Sequence, residues 1–166
     1  SIGLAKATQK YKLHKIITFH SSVAKAKNFG DADKEGSLSS VIEKLPKDIR
    51  GSKKFWTRTI YGEMSVGKRQ DFLSELRTMG NNSVGVIANC ACLGEGVDIP
   101  TLDGVAFIDP KRSQVDIIQA VGRVIRKSEN KKIGTVVVPV FIGDNEDPDE
   151  ILKSSAFEPV WAVIKA

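Results

Sequence analysis

The chain has 166 residues, enough for one domain of ordinary size that buries a core without disulfides or metal. Hydrophobic residues make up 41% and charged residues 27%, a globular rather than a disordered composition. The net charge is +5, no apolar run approaches the roughly 18 residues of a membrane helix, and Ser1 to Lys15 lack the apolar stretch of a signal peptide.

Lys15 to His20 is a short apolar run and predicts a strand. Ser21 is the expected N-cap of a helix over Ser22 to Phe29. Gly30 to Gly36 is polar and breaks the pattern. Ser37 to Leu45 returns to helical spacing, with Leu38, Val41, Ile42 and Leu45 on one face, until Pro46 stops it. Residues 30–54 are thus the expected irregular insertion in a single domain spanning 1–166. Phe55 to Tyr61 is β-branched and aromatic and reads as a strand. Ser65 caps a helix that runs to about Met79, and Gly80-Asn81-Asn82 is a turn. Val84 to Ala88 and Val105 to Ile108 are wholly apolar strands, the second ended by Asp109-Pro110. Val115 to Ile125 is helical, with Ile118, Val121 and Ile125 as its apolar positions. Thr135 to Ile142 predicts a strand with Pro139 as an irregularity, and Asp149 to Ser154 and Pro159 to Ala166 predict closing helices.

Strands alternating with helices, several of them continuous apolar runs, give an α/β class. The expected architecture is a mainly parallel sheet covered by helices on both faces. Ligands of such sheets sit at the carboxyl ends of the strands.

The charge is unevenly spread. Residues 1–30 carry no Asp or Glu but hold Lys6, Lys10, Lys12, Lys15, Lys25 and Lys27. Lys44, Lys47, Arg50, Lys53, Lys54 and Arg58 follow, whereas the stretch from Gly143 is acidic. A basic front half suits a polyanion, most simply nucleic acid, and equally suits a solvated surface. Cys90 and Cys92 are the only cysteines; a lone C-x-C lacks the four ligands of structural zinc, and two free thiols suit a cytoplasmic protein. The chain does not begin with Met, which suggests a fragment of a larger protein.

Gly62-Glu63-Met64-Ser65-Val66-Gly67-Lys68-Arg69 is one residue from the phosphate-binding pattern G-x-x-x-x-G-K-[ST] and lies between a strand and a helix. A free-standing P-loop NTPase is therefore one reading. Its last position should offer a hydroxyl to magnesium, and Arg69 offers a cation instead.

Two other segments are more specific: Asn89-Cys90-Ala91-Cys92-Leu93-Gly94-Glu95-Gly96-Val97-Asp98-Ile99-Pro100, and Gln119-Ala120-Val121-Gly122-Arg123-Val124-Ile125-Arg126. Together they resemble motifs V and VI of superfamily 2 helicases, the second matching Q-x-x-G-R-x-x-R. Ile16 to Ser22 resembles motif IV, and Gly62 with Arg69 the G…R segment after it. The resemblance covers Lys15 to Ile142 and is to the C-terminal, second RecA-like domain alone. Its wording is most similar to helicases linked to bacterial restriction systems. Arg123 and Arg126, three apart, share a helix face, and guanidinium forks match phosphoryl oxygens.

The resemblance implies a RecA-like three-layer sandwich and a set of roles. Arg126 is the expected principal arginine finger, with Arg123 as a second γ-phosphate contact. Gln119, Gly122, Gly96 and Asp98 would line the ATP site. Ser21, Ser22, Gly62, Arg69 and Asn89 would contact the nucleic-acid backbone. Many relatives begin motif V with Thr; Asn89 or Cys90 stands there here, and the contact is assigned to Asn89 because a thiol is a poor phosphate donor.

The resemblance also implies ATP and Mg²⁺ as cofactors, the metal held mainly by an N-terminal RecA-like domain of the same polypeptide. DNA is the implied track, with RNA as the alternative, and no membrane is involved. The chain alone would be inert. A pure nucleic-acid-binding module is a third reading of the basic front half.

Overall fold

The computed structural model describes residues 1–92, 102–125 and 133–166. Five strands make one sheet: β1 (Lys15–Phe19), β2 (Lys54–Tyr61), β3 (Ser83–Cys90), β4 (Gly104–Phe107) and β5 (Thr135–Val137). All pairs are parallel and the order is β2-β3-β1-β4-β5. The helices of the described residues are α1 (Ile2–Lys10), α2 (Val23–Gly30), α3 (Leu38–Glu43), α4 (Lys47–Arg50), α5 (Val66–Thr78), α6 (Gln114–Ile125), α7 (Pro148–Ser154) and α8 (Glu158–Lys165).

Adjacent strand residues point to opposite faces, and the core divides accordingly. Ile17, Ile87 and Val105 pack with Leu73 and Leu76 of α5, Ile117 and Val124 of α6, and Val160 of α8. Ile16, Val86 and Ala106 pack on the other face with Leu4 of α1 and with Leu38 and Ile42 of α3. Ala26 of α2 meets Ala88 and Cys90 on that side of β3. The result is the α/β/α three-layer sandwich that the resemblance implies. Ile16 and Ile17 are both fully buried, each contributing about 1.5–3 kcal/mol of apolar transfer. Asp103 pins the start of β1: its Oδ2 accepts the His14 and Lys15 amides at 2.8 and 3.0 Å.

The run containing Arg58 becomes the edge strand β2, whereas the wholly apolar run becomes β3, paired on both sides. Arg58 is tolerated because its guanidinium lies over the Trp56 ring, 4.9 Å from the centroid, at the margin of the sheet.

Several sequence expectations need correction. Ser22, not Ser21, is the N-cap of α2; its hydroxyl accepts the Lys25 amide at 3.2 Å. The strand predicted over Thr135–Ile142 stops at Val137, because Pro139 has no amide to give a ladder, and Phe141 is wholly exposed. On α6 the buried positions are Ile117, Ala120 and Val124, while Ile118 is 56% exposed, a phase one residue away from the predicted one. Between residues 30 and 54 the helical spacing expected from Ser37 to Leu45 does form α3, capped by the Ser37 hydroxyl, and the short α4 follows it. No helix of the described residues is long and apolar enough to cross a membrane.

Candidate functional site

Parallel register brings the candidate residues together at the carboxyl end of the sheet. Asn89 on β3 stands opposite Ile60 of β2 and Phe19 of β1, and Phe107 of β4 stands opposite Phe19. The residues that follow these strand ends are Gly62, Ser21, Ser22 and Asp109. At about 4.8 Å per strand, three adjacent ends span about 10 Å. Gly62, Asn89 and Ser21 therefore form a short line along β2-β3-β1. The α6 helix, with Gln119, lies past β4.

Asp109 organises the β1 end. Its Oδ2 accepts the Ser21 amide at 3.0 Å, and its Oδ1 accepts Lys25 Nζ at 2.8 Å. Lys25 Nζ also donates to Ser21 Oγ at 3.0 Å. Burial would push the Asp109 carboxyl up, but the Lys25 ammonium and the Ser21 amide outweigh it and hold the group below the usual carboxylate range. Ser21 thus presents its hydroxyl at the surface with a cation beside it. The Ser22 hydroxyl oxygen accepts in the cap, which leaves its hydrogen able to donate outward.

His20 is 8% exposed. Its Nε2 lies 2.8 Å from Thr18 Oγ1, its Nδ1 is 4.0 Å from Asp109, and its ring packs 4.9 Å from Phe29. Burial pushes its pKa down to about 4 against the pull of Asp109. It is a packed, neutral ring rather than a phosphate contact.

Asn89 is 2% exposed. Its Oδ1 accepts the Cys92 amide at 3.4 Å and the Cys92 thiol at 3.0 Å. The turn that follows passes through Ala91 at φ 57°, a left-handed conformation. Asn89 therefore shapes the exit of β3 with its side-chain oxygen. Burial raises the Cys92 thiol pKa, and a hydrogen bond from Arg69 opposes that rise. Arg69, half-buried on α5, is in this way tied to the same turn. Gly62 is exposed and a Cβ there would meet open space.

Asn89 and Gln119 line one pocket of about 140 Å³ with Phe19, Ala91, Lys111 and Asp116. Lys111 Nζ is 2.9 Å from Asp116 Oδ2 and lies over the Phe19 ring. On α6 the outward face carries Val115, Ile118 and Gln119, with Gly122 on open space. Arg123 follows one turn after Gln119 and is half-buried. Arg126, Gly96 and Asp98 lie outside the described residues. The Asp109–Lys25–Ser21 hub was not legible from sequence, since Lys25 and Asp109 are 84 residues apart. The only signal was an acid directly after an apolar strand.

The phosphate-loop pattern does not form a cradle. The Lys68 amide is turned to Ser65 Oγ and the Arg69 amide to Ser65 O. The helix has already begun at Val66, so these donors close its first turn. Lys68 Nζ lies 5.9 Å from the centroid of the Phe72 ring.

Residues 4–128 match the family described as helicase conserved C-terminal domain. Among solved structures, an ATP-dependent Type ISP restriction-modification enzyme, LlaBIII, bound to DNA is 32% identical, with TM-score 0.70 over 92% of this chain and 10% of its own. The C-terminal domain of the DEAD-box protein Dbp5 shares the fold at 17% identity, TM-score 0.57, over 98% of this chain and 74% of that one. Probable helicase A859L of African swine fever virus is 36% identical over 57 residues, 34% of this chain and 7% of the viral protein. The chain thus spans a small part of the restriction enzyme and of the viral helicase.

Proposed function

The chain belongs to the helicase conserved C-terminal domain family, and from that premise we propose that it is the second motor domain of an ATP-dependent DNA helicase or translocase. The observation that carries this reading is the outer face of α6. Val115 and Ile118 are 64% and 56% exposed, Gln119 lies beside them, and Gly122 leaves room for close approach. An exposed apolar strip around a polar, phosphate-suited edge fits a face completed by another domain. ATP would lie between that face and an N-terminal RecA-like domain of the same polypeptide.

Arg126 and Arg123 act there on the γ-phosphoryl group. As water attacks and the bond to the β-phosphate oxygen breaks, charge builds on the transferred group. An inserted guanidinium is worth roughly 10³–10⁵ in rate. Mg²⁺ would be held mainly by the N-terminal domain and would neutralise charge between the β- and γ-phosphates. Ser21, Ser22, Gly62 and Arg69 supply hydroxyl, backbone and guanidinium contacts to a nucleic-acid backbone without reading sequence, behind which Asn89 holds the turn. DNA is favoured over RNA because the 32% identical structure is bound to DNA.

The test is ATP turnover by the intact parent polypeptide. Arg126→Ala is expected to abolish DNA-stimulated hydrolysis and leave DNA affinity within about twofold. Turnover close to that of the parent would overturn the assignment. ATP hydrolysis by the 166-residue chain alone, lost in Lys68→Ala, would point to the phosphate-loop reading.

A further inference from the structure

A second basic site lies at the opposite end of the sheet. We propose that the cavity at the amino end of β2 binds phosphodiester groups of nucleic acid, outside the track at the carboxyl ends. The cavity measures about 710 Å³ and is lined by Ser39, Lys47, Arg50, Ser52, Lys53 and Lys54 among others. Lys54 and Tyr61 begin and end β2, so at about 3.3 Å per residue the cavity is about 23 Å from the Gly62 end.

The cavity is preformed. Gly51, at φ +71°, turns the chain from α4 back into β2, and a Cβ there would meet Gln9 Nε2 at 3.0 Å. The Gln9 amide donates to Ile49 O and ties α4 to α1. Lys47 and Arg50, three apart on α4, therefore face the same space as Lys53 and Lys54. Lys53 Nζ is held 3.0 Å from His14 Nε2.

Among the described residues no carboxylate pairs with Lys47, Arg50 or Lys54, although Glu43 also lines the cavity and Asp48 lies on α4. Arg50 is half-buried, and its Nε has no hydrogen-bond partner among the described residues. The Arg50 guanidinium lines the cavity and is short of acceptors, so an oxyanion bound there would add charge-assisted hydrogen bonds to it. Ser39 and Ser52 add hydroxyls beside it. Planar guanidinium, point-charge ammonium groups and hydroxyls together suit phosphate oxygens and carry no base readout. A nucleic-acid backbone is preferred to an acidic peptide because the chain is already read as part of a nucleic-acid motor, and the ammonium, guanidinium and hydroxyl groups round this one cavity suit phosphate oxygens.

This proposal rests on the nucleic-acid reading above but is tested apart from the ATP site. Binding of a short blunt DNA duplex to the chain is followed by fluorescence anisotropy between about 50 and 200 mM salt. Lys47→Gln/Arg50→Gln/Lys54→Gln is expected to weaken binding at least about tenfold. It should also lower the log–log salt slope by about 2.7, at about 0.9 per phosphate contact. Lys47→Gln/Lys54→Gln, confined to two exposed side chains, keeps the test valid if the triple variant misfolds, and should lower the slope by about 1.8. An unchanged slope in the double variant, with weaker binding in Arg69→Gln, overturns this site and leaves the motor reading standing. Polyglutamate displacing the duplex at equal charge concentration would overturn the phosphodiester assignment. So would no duplex binding by the unmodified chain, a result that leaves the Arg126 test of the motor untouched.

Discussion

Lys25 and Asp109 meet across 84 residues, Nζ to Oδ1 at 2.8 Å, and lock the first turn of α2 to the end of β4. The two partners are not equivalent. The Lys25 side chain is 59% exposed and that of Asp109 is 16% exposed. Asp109 also accepts the Ser21 amide, whereas Lys25 has water as an alternative.

Removing each partner should therefore cost differently. Asp109→Ala leaves the Ser21 amide without its acceptor and should destabilise the chain by about 1–3 kcal/mol. Lys25→Gln loses one exposed ion pair and should cost less than about 1 kcal/mol. Urea unfolding of the two variants measures both. Equal losses would show that the pair, rather than the Asp109 hub, holds this corner.

The same corner sets a pH dependence. His20 has an ordinary pKa of 6.5 unfolded and about 4 folded, because burial disfavours its charged form. Between those values the unfolded chain binds the extra proton, so stability falls as pH falls from 6.5 to about 4. The loss is about 3 kcal/mol at about 1.4 kcal/mol per unit. Asp109 works in the same direction lower down: its stabilisation is present above its unfolded value of 3.8 and is lost as pH drops through its depressed folded value. Between pH 7 and 4 the unfolding free energy of the chain should fall by about this much more than that of His20→Gln. Parallel curves would mean that His20 charges without cost in the folded state.

Much of this architecture is legible because it rests on local chemistry. The apolar run at Val84–Ala88 becomes the doubly paired β3, and Arg58 marks β2 as the edge. Ser65 is the cap expected of it, and Ser37 caps α3 by the same chemistry ahead of an apolar helical spacing. The misreadings have equally physical causes. Ile118 is apolar yet exposed on α6, so a pattern of hydrophobic residues alone puts the buried face one residue out of phase. The helix over Ile2–Lys10 has a lysine-rich surface and no acidic first turn to announce it. At the site, strand ends can be placed from sequence because parallel sheets fix where ligands sit. The direction of each side chain is not local: Asn89 turns inward to Cys92, and the partner of Asp109 comes from another layer.

Asn89 makes that point testable. Its buried Oδ1 receives two donors from Cys92, so Asn89→Ala leaves the half-buried Cys92 amide without this acceptor and should destabilise the chain by about 1–2 kcal/mol. The Cys92 thiol loses its acceptor as well, and alkylation of Cys92 should speed up relative to Cys90, which is 7% exposed. Asn89→Asp keeps the oxygen and should restore most of the protection. If Asn89→Ala instead weakens DNA binding with unchanged stability and unchanged alkylation, the side chain works as a backbone contact.

Two glycines separate packing from function. A Cβ on Gly30 would sit 2.6 Å from Thr59 Oγ1 and 2.7 Å from the Cβ of Ala88, where α2 crosses the sheet. Gly30→Ala should therefore destabilise the chain by about 1–3 kcal/mol through overpacking. A Cβ on Gly122 meets nothing within 4 Å, in the middle of α6. Gly122→Ala should instead stabilise the isolated chain by about 0.5–1 kcal/mol through helix propensity. On the proposed motor reading, the same methyl group in the intact parent would enter the space proposed for the partner domain and ATP, and ATP turnover should fall several-fold. Thermal unfolding of the chain and steady-state hydrolysis by the parent give the two readings. A variant that is more stable and fully active would show that this face of α6 is not the wall of the ATP cleft.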